Sequence, residues 1–184
     1  SIEMFEAVGE EYWPTYFQAL RRLVRPGGRI SLQAITMNED DFPRYRRSAD
    51  FIQLYIFPGG MLPSPDRLQA EAQSAGLESV ETRWYGADYA ETLRRWRQAF
   101  QVAEGDVRGL GYDQQFQRMW DYYLAYCEVG FDNGTVDLVQ AVFRVPEIGE
   151  YSAEVARRPT HPESRSRPRA LQDPCPVHCP VPGG

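Results

Sequence analysis

Two residues of this sequence stand where α/β folds commonly carry out their chemistry. Glu6 follows a short apolar segment that could end a strand, and Tyr89 closes the segment Gly86-Ala-Asp-Tyr89 at a predicted strand-to-helix junction. Because these folds bind ligands at the carboxyl edge of the sheet, the Glu6 carboxylate could act in catalysis. A helix-capping or ion-pairing role explains Glu6 equally well, and such a tyrosine is more often a packing residue. The residues alone leave these alternatives open.

Three other patterns carry less chemical information. Cys175, His178 and Cys179 could bind a soft metal, but no second pair of ligands accompanies them, so we expect no metal site. The segment Gly109-Leu-Gly111 lacks a preceding strand and is interpreted as a helix connector rather than a phosphate loop. The three arginines that flank Trp96 could contact anionic lipid headgroups, although a solvated helix face is the favoured interpretation.

Composition narrows the class of protein. The chain has 184 residues, of which 42% are hydrophobic, and its 20 arginines are outnumbered by 26 acidic residues, with no lysine. The net charge of −6 and the pI near 5.0 argue against a nucleic-acid partner, which would require a basic surface. No apolar run approaches the roughly 20 residues of a membrane span, and no signal-peptide pattern opens the sequence. We therefore expect a cytoplasmic protein.

The elements that must position these residues follow from hydrophobic periodicity. Apolar residues at three- and four-residue steps predict helices, and apolar runs that follow turns predict strands. The predicted helices span 11–24, 65–75, 89–103 and 113–131, and the predicted strands span 29–37, 77–85 and 135–145. Between them, 38–64 is irregular, and such a long excursion is typical of a functional loop. The sequence predicts an α/β fold over 1–150.

The remaining positions, 151–184, differ in composition. They contain no aromatic residue after Tyr151 and are rich in proline and arginine. Too little apolar surface is available there to offset the entropy of ordering the chain. We expect a disordered tail.

Several segments together resemble the cyclopropane-fatty-acyl-phospholipid synthases, the family that includes the mycolic acid cyclopropane synthases. The resemblance is collinear from the first residue to about 145, and the aromatic and glycine-rich segment at 55–64 is its most specific motif. The matching segments are Ser1-Ile-Glu-Met-Phe-Glu-Ala-Val-Gly9, Pro26-Gly-Gly28, Gln33-Ala-Ile-Thr36, Tyr55-Ile-Phe-Pro-Gly-Gly-Met-Leu-Pro-Ser64, Gly86-Ala-Asp-Tyr89, Thr92-Leu with Trp96, Phe116, Arg118-Met-Trp120 and Tyr122-Tyr-Leu124.

The resemblance implies the C-terminal portion of a Rossmann-like class I methyltransferase sheet, with added helices over an acyl-chain site. Members of the family move a methyl group from S-adenosylmethionine to a cis double bond of a phospholipid acyl chain. The implied partner is therefore an unsaturated phospholipid, met transiently at the inner face of the membrane. Loss of a proton from the resulting carbocation closes the cyclopropane ring, which requires a dry, aromatic pocket.

The resemblance also implies site residues. A bound bicarbonate is thought to be the base in the family, and Glu6, Tyr89 and the backbone of Ile35 match three of the groups that hold it. Gln33 occupies the place of a histidine, so it could donate a hydrogen bond but could not titrate. A further cysteine of the family has no counterpart. The residues expected to line the acyl-chain tunnel are Tyr55, Phe57, Met61, Trp120 and Tyr123.

The family's glycine-rich cofactor turn would precede Ser1, so no residue is assigned to cofactor binding. We therefore expect a fragment that binds S-adenosylmethionine poorly and is inactive in isolation. An unpaired sheet edge would favour association, of which a homo-oligomer is one form. Two alternatives stay open: a non-catalytic lipid-binding remnant, and a related methyltransferase with a methyl-branched product.

Overall fold

The computed structural model describes residues 1–147, and its centre is a small open sheet. The strands are β1 (Arg29–Met37), β2 (Glu78–Trp84) and β3 (Val136–Arg144), in the order β1-β3-β2. Both outer strands run antiparallel to β3 and are therefore parallel to each other. On the free side of β1, Ile2 forms a parallel bridge to Gln33. The sheet is thus mixed.

Helices cover both faces of this sheet. Two short 3-10 helices, Phe5–Ala7 and Glu10–Tyr12, precede the first α-helix. The α-helices are α1 (Trp13–Leu23), α2 (Phe42–Tyr45), α3 (Phe51–Tyr55), α4 (Pro65–Ser74), α5 (Gly86–Val102), α6 (Glu104–Gly109) and α7 (Gln114–Asp132). No helix within residues 1–147 is long and apolar enough to cross a membrane.

Two separate hydrophobic cores lie on the two faces of the sheet. In β1, Ile30, Leu32 and Ala34 pack on one face, and Ile35 packs on the other, because successive side chains of a strand point to opposite sides. The first core, under α1 and α4, includes Phe5, Trp13, Phe17, Leu32, Leu68 and Phe143. The second core, between the sheet and the pair α5 and α7, includes Ala90, Leu93, Leu124, Phe131 and Leu138.

The predicted strands and long helices are confirmed, with shifts at their ends. Ser64 caps α4 by accepting a hydrogen bond from the Arg67 N–H at 3.3 Å, as expected of a serine before proline. Helix α5 begins three residues earlier than predicted, at Gly86. A Cβ atom at this position would lie 2.6 Å from Asp137 Oδ1. The glycine reflects this close approach rather than a break in the helix.

The prediction differs more from the structure in two segments of the chain. The excursion 38–64 contains α2 and α3, each too short to show a periodic stripe. Helix α6 lies between the predicted helices 89–103 and 113–131 and includes only Gly109 of the segment interpreted as a connector. The predicted tail at 151–184 lies outside the described residues.

Candidate active site

Glu6 is tied to two other segments of the chain. Its Oε1 accepts a hydrogen bond from the Ile35 main-chain N–H at 2.5 Å, and its main-chain oxygen accepts one from the Met61 N–H at 2.8 Å. Its Oε2 is shielded from solvent and has no hydrogen-bond partner within the described part of the chain. Burial raises the pKa of the Glu6 carboxyl, against the lowering effect of the Ile35 bond. One carboxylate oxygen therefore remains available to a ligand.

Tyr89 lies in the first turn of α5, on the wall opposite the strand. Its hydroxyl donates to the Glu3 carboxylate, with distances of 3.2 Å to Oε2 and 3.3 Å to Oε1. Its ring packs against Phe131, with the centroids 4.8 Å apart. Burial, followed by the negative charge of Glu3, raises the pKa of Tyr89 well above its ordinary value. The hydroxyl therefore stays protonated at neutral pH and acts as a hydrogen-bond donor.

Glu3 joins this site although the sequence predicts no role for it. Its carboxylate also accepts a hydrogen bond from Gln33 Nε2 at 2.9 Å. Gln33 in turn accepts a bond from Gln140 Nε2 at 2.8 Å, since the two glutamines lie opposite each other in the β1-β3 register. The three residues Glu3, Glu6 and Tyr89 are called the carboxylate cluster below.

The carboxylate cluster lies on the wall of a large cavity of about 1130 Å³. The cavity is bounded by the end of β1, the 55–64 segment, α5 and α7. Most of its lining is aromatic or aliphatic, including Met37, Ile52, Phe57, Met61, Leu93, Trp96, Phe100, Trp120, Tyr123 and Phe131. Cavities of this kind, apolar with a few converging polar groups, are typical of small-molecule sites.

The segment 55–64 is anchored against the cavity by hydrogen bonds. Gln53 donates from its side chain to the Gly60 carbonyl at 2.8 Å, and the Tyr45 hydroxyl accepts from the Leu62 N–H at 3.3 Å. Burial raises the pKa of Tyr45 to about 12. Gly59, with a φ of 82°, adopts the left-handed conformation that favours glycine. The irregular stretch is therefore an ordered wall of the site.

Ion pairs hold the two helices that form the opposite wall. Arg94 of α5 contacts Glu128 and Asp132 of α7, each at 3.0 Å. Arg97 makes two hydrogen bonds to Asp121, at 3.0 and 3.2 Å. Since these arginines have acidic partners within the chain, the arrangement favours the solvated helix face over a headgroup-binding surface.

The structure brings together most of the residues predicted for the site. Glu6, Ile35 and Tyr89 line the cavity, whereas Gln33 does not and reaches it only through Glu3. Of the expected tunnel residues, those at the cavity wall are Phe57, Met61, Trp120 and Tyr123. Tyr55 is not among the lining residues: its side chain is exposed and packs on Phe51, with ring centroids 5.5 Å apart.

Tyr45 and Phe100 also line the cavity, although no sequence motif marks them for the site. Trp96, which belongs to a motif of the family resemblance but has no predicted role in the tunnel, lines it as well. Within residues 1–147, no group of three or more histidine, cysteine or acidic side chains is arranged to hold a metal ion. Cys175, His178 and Cys179 lie outside the described residues.

The fold is that of a class I methyltransferase, as predicted. The crystal structure of mycolic acid cyclopropane synthase CmaA1 complexed with SAH and CTAB is similar, with a TM-score of 0.70 and 28% identity. The similarity covers 78% of this chain and 53% of that one. A putative sarcosine dimethylglycine methyltransferase from Galdieria sulphuraria shares the fold at a TM-score of 0.66, with 16% identity.

Sequence comparison defines the family. The model of the family described as mycolic acid cyclopropane synthetase matches residues 1–141. The chain belongs to this family of S-adenosylmethionine-dependent methyltransferases. It is 47% identical over 141 residues to tuberculostearic acid methyltransferase UfaA1 of Mycobacterium tuberculosis. It is 35% identical over 145 residues to the cyclopropane-fatty-acyl-phospholipid synthase of Escherichia coli.

These similarities cover 76% and 78% of this chain, respectively. The chain spans about a third of the length of both relatives, at 33% and 36%.

Proposed function

We propose that this chain forms the acyl-chain side of the active site of a lipid methyltransferase. The proposed reaction transfers a methylene unit from S-adenosylmethionine to the cis double bond of an unsaturated phospholipid acyl chain. One observation carries the proposal: a large, mainly apolar cavity has a buried carboxylate oxygen of Glu6 with no hydrogen-bond partner among residues 1–147. Because the chain spans about a third of its relatives, the activity is proposed for the full coding sequence that contains it.

The lining suits a reaction that passes through a cation. When bound, S-adenosylmethionine supplies an electrophilic methyl group on a positively charged sulfur. The carboxylates of Glu3 and Glu6 would attract that charge, and aromatic faces such as those of Trp120 and Tyr123 would stabilise a carbocation on the acyl chain. We assign no residue to the adenosine end of the donor.

Exclusion of water is the second contribution of the chain. Phe57 from the loop packs edge-to-face on Tyr123 of α7 with centroids 6.3 Å apart, and Tyr123 packs on Trp120 at 5.0 Å. These rings join the loop wall to the helix wall, so an acyl chain between them would lie in an apolar environment. A dry environment prevents water from capturing the cation before a proton leaves.

Bicarbonate fits this arrangement poorly. The groups expected to bind it already donate to carboxylates of the chain: Ile35 donates to Glu6, and Tyr89 and Gln33 donate to Glu3. A bicarbonate placed here would also face two negative side chains. We therefore derive no step through bicarbonate.

The proposed partner is a phospholipid at the inner face of the membrane, met by peripheral contact. An acyl chain that carries an internal double bond must leave the bilayer, at least in part, to reach a cavity walled by protein. The volume and apolar lining of the cavity support this class of substrate, and the relative from Escherichia coli is named for it.

A methyl-branched product is the second candidate. It is favoured by the 47% identity to a tuberculostearic acid methyltransferase, against 35% to a cyclopropane synthase. A hydride shift that moves the cation to the carbon bearing the new methyl group, followed by loss of a methyl proton, would leave a methylene branch, and a separate hydride donor would be needed to reduce it. The two candidates share the methyl transfer and differ only in the fate of the cation.

The test is expression of the full coding sequence in a bacterium grown on methionine with a deuterated methyl group, followed by mass spectrometry of the phospholipid fatty acids. We expect monounsaturated chains to gain one labelled carbon. A ring without a double bond supports the cyclopropane product, and a branch supports the second candidate. Unlabelled fatty acids would refute both.

A matched pair of variants tests the cavity itself. Phe57→Ala should lower product formation because it opens the wall, whereas Tyr55→Ala, two residues away and outside the lining, should leave it unchanged. Equal losses in both variants would contradict the assignment of the cavity as the acyl-chain site.

A further inference from the structure

Glu3 is held in an unusual way for a glutamate at the edge of a cavity. Its backbone φ is +47°, the left-handed region that glycine adopts at little cost and a glutamate adopts rarely. No other non-glycine residue within 1–147 has a positive φ. The conformation persists because the neighbouring chain pairs with β1: the Glu3 N–H donates to the Gln33 carbonyl at 2.9 Å. Strain of this kind is typical of functional sites.

The carboxylate of Glu3 lies where donors converge. It accepts from Gln33 Nε2 at 2.9 Å and from the Tyr89 hydroxyl at 3.2 and 3.3 Å, and it lines the cavity. These two donors come from different elements, β1 and α5, so the position of the carboxylate is set by the tertiary fold. Ionised carboxylates accept up to about four hydrogen bonds, which leaves lone pairs of Glu3 open to the cavity.

We propose that Glu3 is the catalytic base of the lipid methyl transfer, a carboxylate built into the chain in place of a bound bicarbonate. The inference rests on the proposed function for the reaction itself. It adds two statements to that function. Tyr89 and Gln33 bind the Glu3 carboxylate rather than a small anion, and the reaction needs no bicarbonate.

The step balances without any further reactant. The π electrons of the alkene form a bond to the methyl carbon as the carbon–sulfur bond breaks, its electron pair remains on sulfur, and the acyl chain becomes a carbocation. Glu3 then accepts a proton from the added methyl carbon, and the electrons of that C–H bond close the ring. For a methylene branch, the same proton is removed after a hydride shift and its electrons form a double bond. The protonated carboxyl afterwards releases its proton to solvent.

The left-handed backbone makes Glu3→Gly an unusually clean variant. Glycine adopts the observed φ at little cost, so the variant should still fold. It removes the carboxylate and leaves the donors of Tyr89 and Gln33 without an acceptor. Glu3→Gln is the matched control, because it fills the same space, still offers an oxygen to Tyr89 and cannot act as a base.

The assay uses the full coding sequence, purified and supplied with labelled S-adenosylmethionine and vesicles of dioleoyl phosphatidylglycerol, in buffer with or without millimolar bicarbonate. We expect the wild type to be active in both buffers. Both variants should lose activity, by roughly 100-fold or more for loss of a general base. Bicarbonate should restore part of the activity of Glu3→Gly in a saturable manner and none of that of Glu3→Gln.

A binding measurement is independent of turnover. The 13C NMR line of labelled bicarbonate should broaden with Glu3→Gly and not with the wild type. A wild type that requires bicarbonate, or a Glu3→Gly variant that is fully active without it, would overturn the inference. A wild type that transfers no methyl group in either buffer would instead contradict the proposed function. In that case the NMR measurement still tests the inference, because bicarbonate binding by the wild type would contradict it.

Discussion

Replacing Glu6 with glutamine should separate stability from activity. The amide oxygen of glutamine can keep the bond from the Ile35 N–H, and the main-chain bond from Met61 does not involve the side chain. What the variant loses is the charge, together with the buried Oε2 that has no internal partner. A carboxylate in such a position would act on a cationic reaction, so we expect turnover to fall by about 100-fold or more.

The sign of the stability change follows from the pKa. The ordinary value is 4.5, and burial raises the pKa of Glu6 in the folded chain. Its contribution to stability is therefore complete at pH values below 4.5 and is lost as the pH rises through the higher, folded pKa. Glutamine has no charge to lose, so Glu6→Gln should match the wild type in acid and be at least as stable at pH 7.

Glu6→Ala provides the contrast. It leaves the Ile35 N–H without its acceptor, which costs about 1–3 kcal/mol. For a chain of this size each kcal/mol lowers the melting temperature by about 2–4 °C. Thermal unfolding followed by circular dichroism between pH 4 and pH 7 measures both variants. A stability advantage of Glu6→Gln that shrank as the pH rose would contradict the raised pKa of Glu6, and normal turnover would remove Glu6 from the active site.

Two further changes test the fold that positions the site. Phe17→Ala removes a fully buried ring that packs on Phe143, so it should lower the free energy of unfolding, measured by chemical denaturation, by about 3–5 kcal/mol. Leu23→Ala, on the exposed side of the same helix, should change it by no more than about 0.5 kcal/mol. Asp113→Ala removes the N-cap of α7, which accepts from the Phe116 N–H at 2.8 Å, and should cost about 1 kcal/mol, while Asp113→Asn should retain most of it. Equal stability of the alanine and asparagine variants would count against the cap.

Much of the fold could be predicted from local pattern. The strand predicted over 29–37 has those bounds in the structure, because its apolar residues lie between a Pro-Gly-Gly turn and a polar segment. Ser64 and Asp113 cap the helices predicted from 65 and 113, because a side-chain oxygen satisfies an otherwise free N–H at each helix start. Helix α6 was missed because six residues with two glycines show neither a stripe nor high helix propensity.

The candidate site, like the fold, could be predicted only in part from the sequence. Glu6 and Tyr89 were candidates from their place at strand and helix ends, and family resemblance added Ile35 and the aromatic loop. That Glu3, rather than Gln33, lines the cavity depends on the backbone turning through a left-handed conformation between Ile2 and Phe5. No periodicity records that turn.

Local sequence is enough to predict which segments become helices and strands, which residues are apolar enough to form two cores, and to which family the chain is similar. These properties depend on interactions between near neighbours, or on motifs that can be read in order. Which polar groups come into contact depends on the tertiary fold. The bonds from Tyr89 and Gln33 to Glu3 join residues 86 and 30 positions apart, and such contacts exist only once the first residues lie beside β1 and α5 packs on the sheet.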